Sequence, residues 1–332
     1  MAATTGTIER LQAWCSQLVR DAVRTTIVLL KITIPISILT KLLKEAGVTD
    51  QLGILLAPLM GLLGLPGSMG LVWATAMLTN LYTAMIVFAS FAADAKLSVA
   101  QVTVLCTLML VAHGLPVEVS IARSAGPRMR AMAAVRIGGA LLIGGCLNQI
   151  YRLGNFLQQP NRAIWNPPRQ ETAWLAWSVG EIKNICWIFL IILLLLLVMR
   201  ILHAIGVMNL LTRALEPGLT FLGIGREAAP VTIIGMMLGL SYGGGLIIQE
   251  ARSGRLQNRD IFFSLALMGL SHSLVEDTLL MLVLGASLSG ILAGRVCLSL
   301  LIIFIMVKLM KSCSEQTFER YLFRARHHTG GS

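Results

Sequence analysis

Charge is scarce in this chain. Of 332 residues, 13% are Asp, Glu, Lys or Arg and 56% are apolar, whereas a soluble domain carries about 25% charged residues. That composition excludes a soluble globular protein. Apolar runs reach or approach the ~18 residues that span a bilayer, most clearly over 185–198, and indicate an all-α polytopic integral membrane protein. Acid is scarcer than base, with a formal net charge of +11. The basic residues sit between apolar runs, as the positive-inside bias predicts, and do not interleave with aromatics on a polar surface. A nucleic-acid partner is thereby excluded; the partner is the lipid bilayer. The six cysteines (Cys15, Cys106, Cys146, Cys186, Cys297 and Cys313) form no Cys-x-x-Cys pair. Most lie in apolar runs, where a thiol behaves as a small hydrophobe, so no metal or redox site is assigned to them. An early apolar signal segment is lacking, because Glu9 and Asp21 interrupt the first 24 residues. Phosphate loop, dinucleotide fingerprint and nucleophile elbow are lacking too; Gly223-Ile224-Gly225 has no strand before it. The expectation is therefore no enzyme, no cofactor and no ATPase domain, so any active transport is ion-coupled or driven by a partner.

What is present is a string of spans with unusual interruptions. Residues 1–24 read as an amphipathic helix on the membrane surface, with Ile8, Leu11, Trp14, Leu18 and Ala22 at helical spacing. A first unit covers 25–151: a span at 25–43, a short segment around Pro58, spans at 69–91 and 99–112, a short segment after His113-Gly114-Leu115-Pro116, and a span at 131–150. Residues 152–181 form the one long polar connection, expected to be a periplasmic linker with tryptophans at the membrane interface. A second unit, 182–310, repeats the order, and 311–332 is a basic cytoplasmic tail.

The second unit matches the first at a constant offset. Gly47 meets Gly206, Pro58 meets Pro217, Leu108-Met109 meets Leu267-Met268, His113 meets His272 and Glu118 meets Asp277. Leucine matches are cheap in this composition; glycine, proline and histidine in one register are not, and such internal repeats mark many transporter folds. The basic residues alternate between equivalent loops: Arg123, Arg128 and Arg130 follow the fourth segment of unit one, whereas Arg252, Arg255 and Arg259 follow the third segment of unit two. This predicts inverted repeats, both termini cytoplasmic, and about ten membrane segments if the Pro58 and Pro217 segments cross.

The candidate site residues are the polar groups inside apolar runs. His272, Glu276 and Asp277 lie within six positions, and His113 and Glu118 repeat the pattern. An ionisable group in hydrocarbon costs from about 2.5 to above 10 kcal/mol, so such residues point to function. On a continuous helix His272 and Glu276 would share a face at i, i+4 and could simply satisfy each other. Thr79 and Asn80 in unit one, and Ser241 and Tyr242 in unit two, are second-rank candidates for ligand contact, with helix packing as the alternative. The Gly235, Gly239, Gly243 stripe reads first as close helix approach. No metal site is assigned, although His and carboxylates leave a divalent-cation variant open.

Two segments carry a family resemblance. Gly-Val-x-x-x-Leu-x-x-x-Leu-x-Pro from Gly47, and Ser-His-Ser-Leu-Val-Glu-Asp-Thr from Ser271, resemble the Gate, or nucleoside-recognition, domain. That domain occurs in bacterial spore-maturation membrane proteins, with related regions in concentrative nucleoside transporters and the ferrous-iron transport protein B. Two copies would cover 43–122 and 202–281. The resemblance implies a multi-pass protein of the bacterial inner membrane, with a small-molecule or ion substrate. The expected function is an ion-coupled transporter or permease for a small polar solute, able to form homo-oligomers. A membrane scaffold of the spore-maturation type and a divalent-metal transporter are the alternatives.

Overall fold

The computed structural model describes residues 2–165, 173–222, 224–225 and 227–323. The first half is built from seven helices: α1 (Ala2–Glu45), α2 (Val48–Leu62), α3 (Met69–Leu78), α4 (Leu81–Ala95), α5 (Val99–Val111), α6 (Leu115–Ala125) and α7 (Met129–Leu153). The second half follows as α8 (Trp174–Ala204), α9 (Val207–Phe221), α10 (Ala229–Leu238), α11 (Leu240–Ser253), α12 (Asn258–Leu270) and α13 (Glu276–Val283). A π-helical turn (Ser289–Gly294) then leads into α14 (Arg295–Met310), and α15 (Glu315–Tyr321) closes the described chain. The protein is an all-α membrane protein. Each element of the first half has its counterpart one repeat offset later, the 159 residues that separate His113 from His272.

Among the described residues, four helices are long and apolar enough to cross a bilayer: Ser16–Glu45 of α1, α7, α8, and the continuous Ser289–Met310 segment. The pair α5 and α6, bent by 40° at the break between them, makes a fifth. The surface helix expected at the N-terminus is one helix with the first span. Two segments that read as single spans are not. The 69–91 run divides into α3 and α4 at Thr79–Asn80, and the 228–249 run divides into α10 and α11 at Gly239. Composition hides both breaks, because they cost no apolar residues. They are backbone events: Asn80 caps α4 by accepting from Thr83 N at 2.9 Å, and Gly239 takes φ 96, ψ 163, a conformation for which an L side chain is strained.

α5 and α12 form the centre. From Val102 to Val111 and from Ile261 to Leu270 every residue is buried, as a helix that is apolar all round requires. Connecting loops gather in two groups. In one, Leu97–Val99 pairs with the linker (Val99 N to Gln159 O, 3.0 Å; Asn161 N to Leu97 O, 2.9 Å), and the linker pairs with the end of α13 (Ile164 N to Val283 O, 3.0 Å; Asn161 Nδ2 to Leu284 O, 2.8 Å). In the other, Arg128 N donates to Leu322 O at 2.8 Å, Arg259 Nη1 and Nη2 donate to Met310 O and Cys313 O, each at 2.7 Å, and Asn258 Nδ2 reaches Glu319 Oε1 at 3.2 Å. The 25-residue α7 joins the second group to the first.

The short proline-containing helix α2 stays within the first group. The end of α2 is held there by Asn148 Nδ2, which donates to Leu62 O, and by Gln101 Nε2, which donates to Gly64 O. α2 starts where α1 ends, beside Ser90 and Asp94 of α4. Beyond α9, Gly225 N donates to Asp260 Oδ1 at the opening of α12. α10 and α11 then fold against each other, because Gly235 and Gly243 lie so close that a β-carbon on Gly243 would strike the backbone of Gly235.

Candidate functional site

Four helix interruptions meet in the interior. α5 and α12 each have 13 residues, about 20 Å at 1.5 Å per residue, so each stops short of crossing a ~30 Å hydrocarbon core. α5 stops at Ala112, and Gly114, with φ 55, turns the chain into α6, whose first turn carries Pro116. α12 stops at Ser271, and Ser273 takes φ 46 before α13 begins. Broken backbone at membrane depth must find partners inside the protein. Here the breaks satisfy one another: Gly114 N donates to Ala76 O of α3 at 2.9 Å, and Leu274 N donates to Met236 O of α10 at 3.0 Å.

The two histidines stand at the α5 and α12 breaks, and their rings face each other with centroids 5.0 Å apart. His113 Nδ1 lies 3.0 Å from Met109 O and His272 Nδ1 lies 2.9 Å from Met268 O. A carbonyl oxygen only accepts, so each Nδ1 is the donor and holds a ring proton. In the neutral rings each Nε2 is then a bare acceptor. The two Nε2 atoms are 3.3 Å apart. Glu118 Oε1 is 3.4 Å from His113 Nε2 and 3.2 Å from His272 Nε2, and Asp277 Oδ2 is 3.9 Å from His113 Nε2. His113 Nε2, His272 Nε2 and Glu118 Oε1 therefore lie within 3.4 Å of one another, with Asp277 Oδ2 beside His113 Nε2. His272 is only 2% exposed and Glu118 is buried.

Two further residues complete the cluster, and sequence reasoning passed them over. Arg136 of α7 is 1% exposed; its Nη1 pairs with Glu118 Oε2 and its Nε donates to Val111 O at 3.0 Å. Arg295 of α14 is fully buried, and none of its three guanidinium nitrogens has a hydrogen-bond partner among the described residues. The signal was available: Arg136 and Arg295 are separated by the same offset as His113 and His272, and both sit within apolar runs. The repeat therefore carries a His, acid, Arg set: His113, Glu118, Arg136 in one half and His272, Asp277, Arg295 in the other.

The remaining candidates fall in different places. Glu276 opens α13 beside Asp277, close enough to act on it electrostatically. It does not share a helical face with His272, because α12 ends at Leu270 and His272 lies in the break. Asn80 is the N-cap of α4; its Oδ1 accepts from both Thr83 N and Thr83 Oγ1. Thr79 Oγ1 turns back to Thr75 O at 2.6 Å, while its carbonyl oxygen borders Gly114. The side chains of Ser241 and Tyr242 lie outside the described part of the structure.

Residues 26–128 match the Gate family, described as nucleoside recognition. The chain is also 26% identical over 283 residues to the uncharacterized membrane protein YvoD of Bacillus subtilis (strain 168), covering 84% of this chain and 89% of that protein. No solved structure matches. The interrupted helices, the long apolar spans and these similarities identify a multi-pass membrane protein with a Gate domain at residues 26–128.

Proposed function

We propose that this protein is an ion-coupled secondary transporter or permease of the bacterial inner membrane, moving a small polar solute through a site between its two halves. The observation that carries the reading is the meeting of four broken helices around a buried His, acid, Arg cluster. Discontinuous helices at the midplane of paired repeats form substrate sites in transporters, and ionisable groups are kept in hydrocarbon for function rather than for packing. The nucleoside-recognition label of the matched family puts nucleosides first in a substrate screen.

The reading includes inverted repeats. Repeat-related loops contribute to opposite loop groups: Leu97–Val99 joins the linker group, whereas its counterpart at Leu256–Asn258 joins the C-terminal group. α7 and α14 then run in opposite directions. With α2 and α9 each confined to one side, and α3–α4 and α10–α11 as re-entrant hairpins, each half crosses three times: by its first helix, its bent pair and its last helix. An odd number inverts the second half, so inversion does not need ten segments. The positive-inside rule makes the side of Arg128, Arg255 and Arg259 cytoplasmic, with both termini there and the linker in the periplasm.

The test uses cysteine accessibility in a variant lacking the native cysteines. Lys96 and Arg255 are repeat-related and both exposed. Lys96→Cys should react with an impermeant thiol reagent from the periplasm and Arg255→Cys from the cytoplasm. Ser273→Cys, in the α12–α13 break, should react from either side as the protein alternates. Labelling of the first two from one side removes the inversion, and a Ser273→Cys that reacts from neither side favours a scaffold.

A further inference from the structure

We infer that the convergence point of His113, His272, Glu118 and Asp277 is a binding site for a divalent transition-metal cation of the zinc type. The first argument is distance. Ligand atoms about 2.0–2.1 Å from a tetrahedral ion stand about 3.3–3.4 Å from one another. The measured separations among His113 Nε2, His272 Nε2 and Glu118 Oε1 are 3.3, 3.4 and 3.2 Å. The fourth atom, Asp277 Oδ2, is 3.9 Å from His113 Nε2. His113, His272 and Asp277 by themselves bring one ligand atom each to within 4.8 Å of one another.

The second argument is the state of the ligands. Both imidazoles already donate Nδ1–H to a backbone carbonyl, the outer contact that orients a metal-binding histidine and turns its Nε2 lone pair inward. Arg136 holds Oε2 of Glu118 and leaves Oε1 for the centre. Asp277 Oδ2 is buried with no hydrogen-bond partner among the described residues, yet it points towards His113. A buried acceptor with nothing to accept is costly; a cation beside Asp277 Oδ2 and the two inward-facing Nε2 atoms would satisfy it.

The third argument is charge and ligand type. Glu118, Glu276 and Asp277 set three carboxylates against the two guanidinium groups of Arg136 and Arg295, so a cation is what the cluster lacks. Imidazole nitrogen discriminates against the hard cations magnesium and calcium and favours zinc, cobalt and nickel.

This deepens the transport reading, since the ion would be either cargo or the coupling ion, and it rests on that reading only for the ion's movement. Binding is therefore tested on the full chain in detergent, separately from any flux. Chelator-stripped protein titrated with cobalt should develop the visible absorption of tetrahedral cobalt at one equivalent, and zinc should bleach it while magnesium and calcium do not. Zinc should also raise the melting temperature of the wild type. His272→Ala and His113→Ala should each weaken cobalt binding at least about 100-fold, Asp277→Asn by about 10- to 100-fold, and His203→Ala, at the exposed end of α8, not at all. Absence of the cobalt spectrum in folded wild-type protein overturns the inference even if a histidine variant fails to fold. So does a spectrum that survives His272→Ala, or calcium binding in place of cobalt. Metal binding without flux in proteoliposomes would uphold this site and count against the transporter.

Discussion

The two halves carry the same polar set and use it differently. In the first, Arg136 closes on Glu118 and on the last carbonyl of α5. In the second, Arg295 sits at the equivalent position with no hydrogen bond among the described residues, and Asp277 turns to His113 instead. Two local differences account for this. Aspartate is one methylene shorter than glutamate, so its carboxylate does not reach as far. The turn that delivers Arg295 is π-helical, whereas α7 is unbroken α-helix around Arg136. The π turn contains Gly290 and Gly294, which let Tyr151 and Leu147 of α7 approach closely; the counterparts in the first half are Ala131 and Val135. Such π segments recur at functional sites. A repeat thus preserves residue types more faithfully than it preserves their pairing.

The sharpest way to break this comparison is to remove each arginine. Arg136→Met strands Glu118 in the interior and should cost about 3–5 kcal/mol, whereas Arg295→Met removes a charge that has no hydrogen-bond partner and should be neutral or stabilising by about 1–4 kcal/mol. Thermal unfolding in detergent measures both. Equal losses would mean that the two halves are paired alike in solution.

Exchanging the acids has a smaller effect. Glu118→Asp should weaken the Arg136 contact and lower stability by about 1.5–3 kcal/mol, the worth of a hydrogen bond to a charged group. Asp277→Glu supplies the missing methylene; it should raise the melting temperature while drawing the carboxylate away from the histidines and weakening cobalt binding. A variant that melts no higher and binds cobalt unchanged would assign the asymmetry to the π turn alone.

The hairpins provide the mildest test. Where α10 and α11 meet through Gly235 and Gly243, the repeat-related residues of α3 and α4 are Ala76 and Ala84, both fully buried. Gly243→Ala puts a methyl group against the backbone of Gly235 and should cost about 1–3 kcal/mol. Gly245→Ala, with nothing within 4 Å of the new methyl group, should change stability by less than about 0.5 kcal/mol. A harmless Gly243→Ala would show that the tight hairpin is not required.

Much of the fold is legible in the order of the residues. The offset that aligns Gly47 with Gly206 locates two left-handed helix junctions, with φ 69 and 77. Pro58 and Pro217 lie within the short helices α2 and α9. The stretches around His113 and His272 are interruptions at the ends of α5 and α12. The breaks at Asn80 and Gly239 are not legible, because an uninterrupted apolar run has the same composition whether its helix continues or turns back. Asn80 reads as a candidate for ligand contact or helix packing for the same reason: its role as a cap depends on where the helix starts.

By itself the sequence determined that the chain lives in a bilayer, that it is internally repeated, and that histidine and acid recur at one register. These follow from composition and spacing, which need no knowledge of what faces what. Only the tertiary structure decided that His113 and His272, far apart in the chain, meet at 3.3 Å, that Arg136 rather than a histidine holds Glu118 Oε2, and that Arg295 has no hydrogen-bond partner among the described residues. Those outcomes depend on reach and direction: a methylene, a π turn, and a carbonyl that fixes which ring nitrogen looks inward.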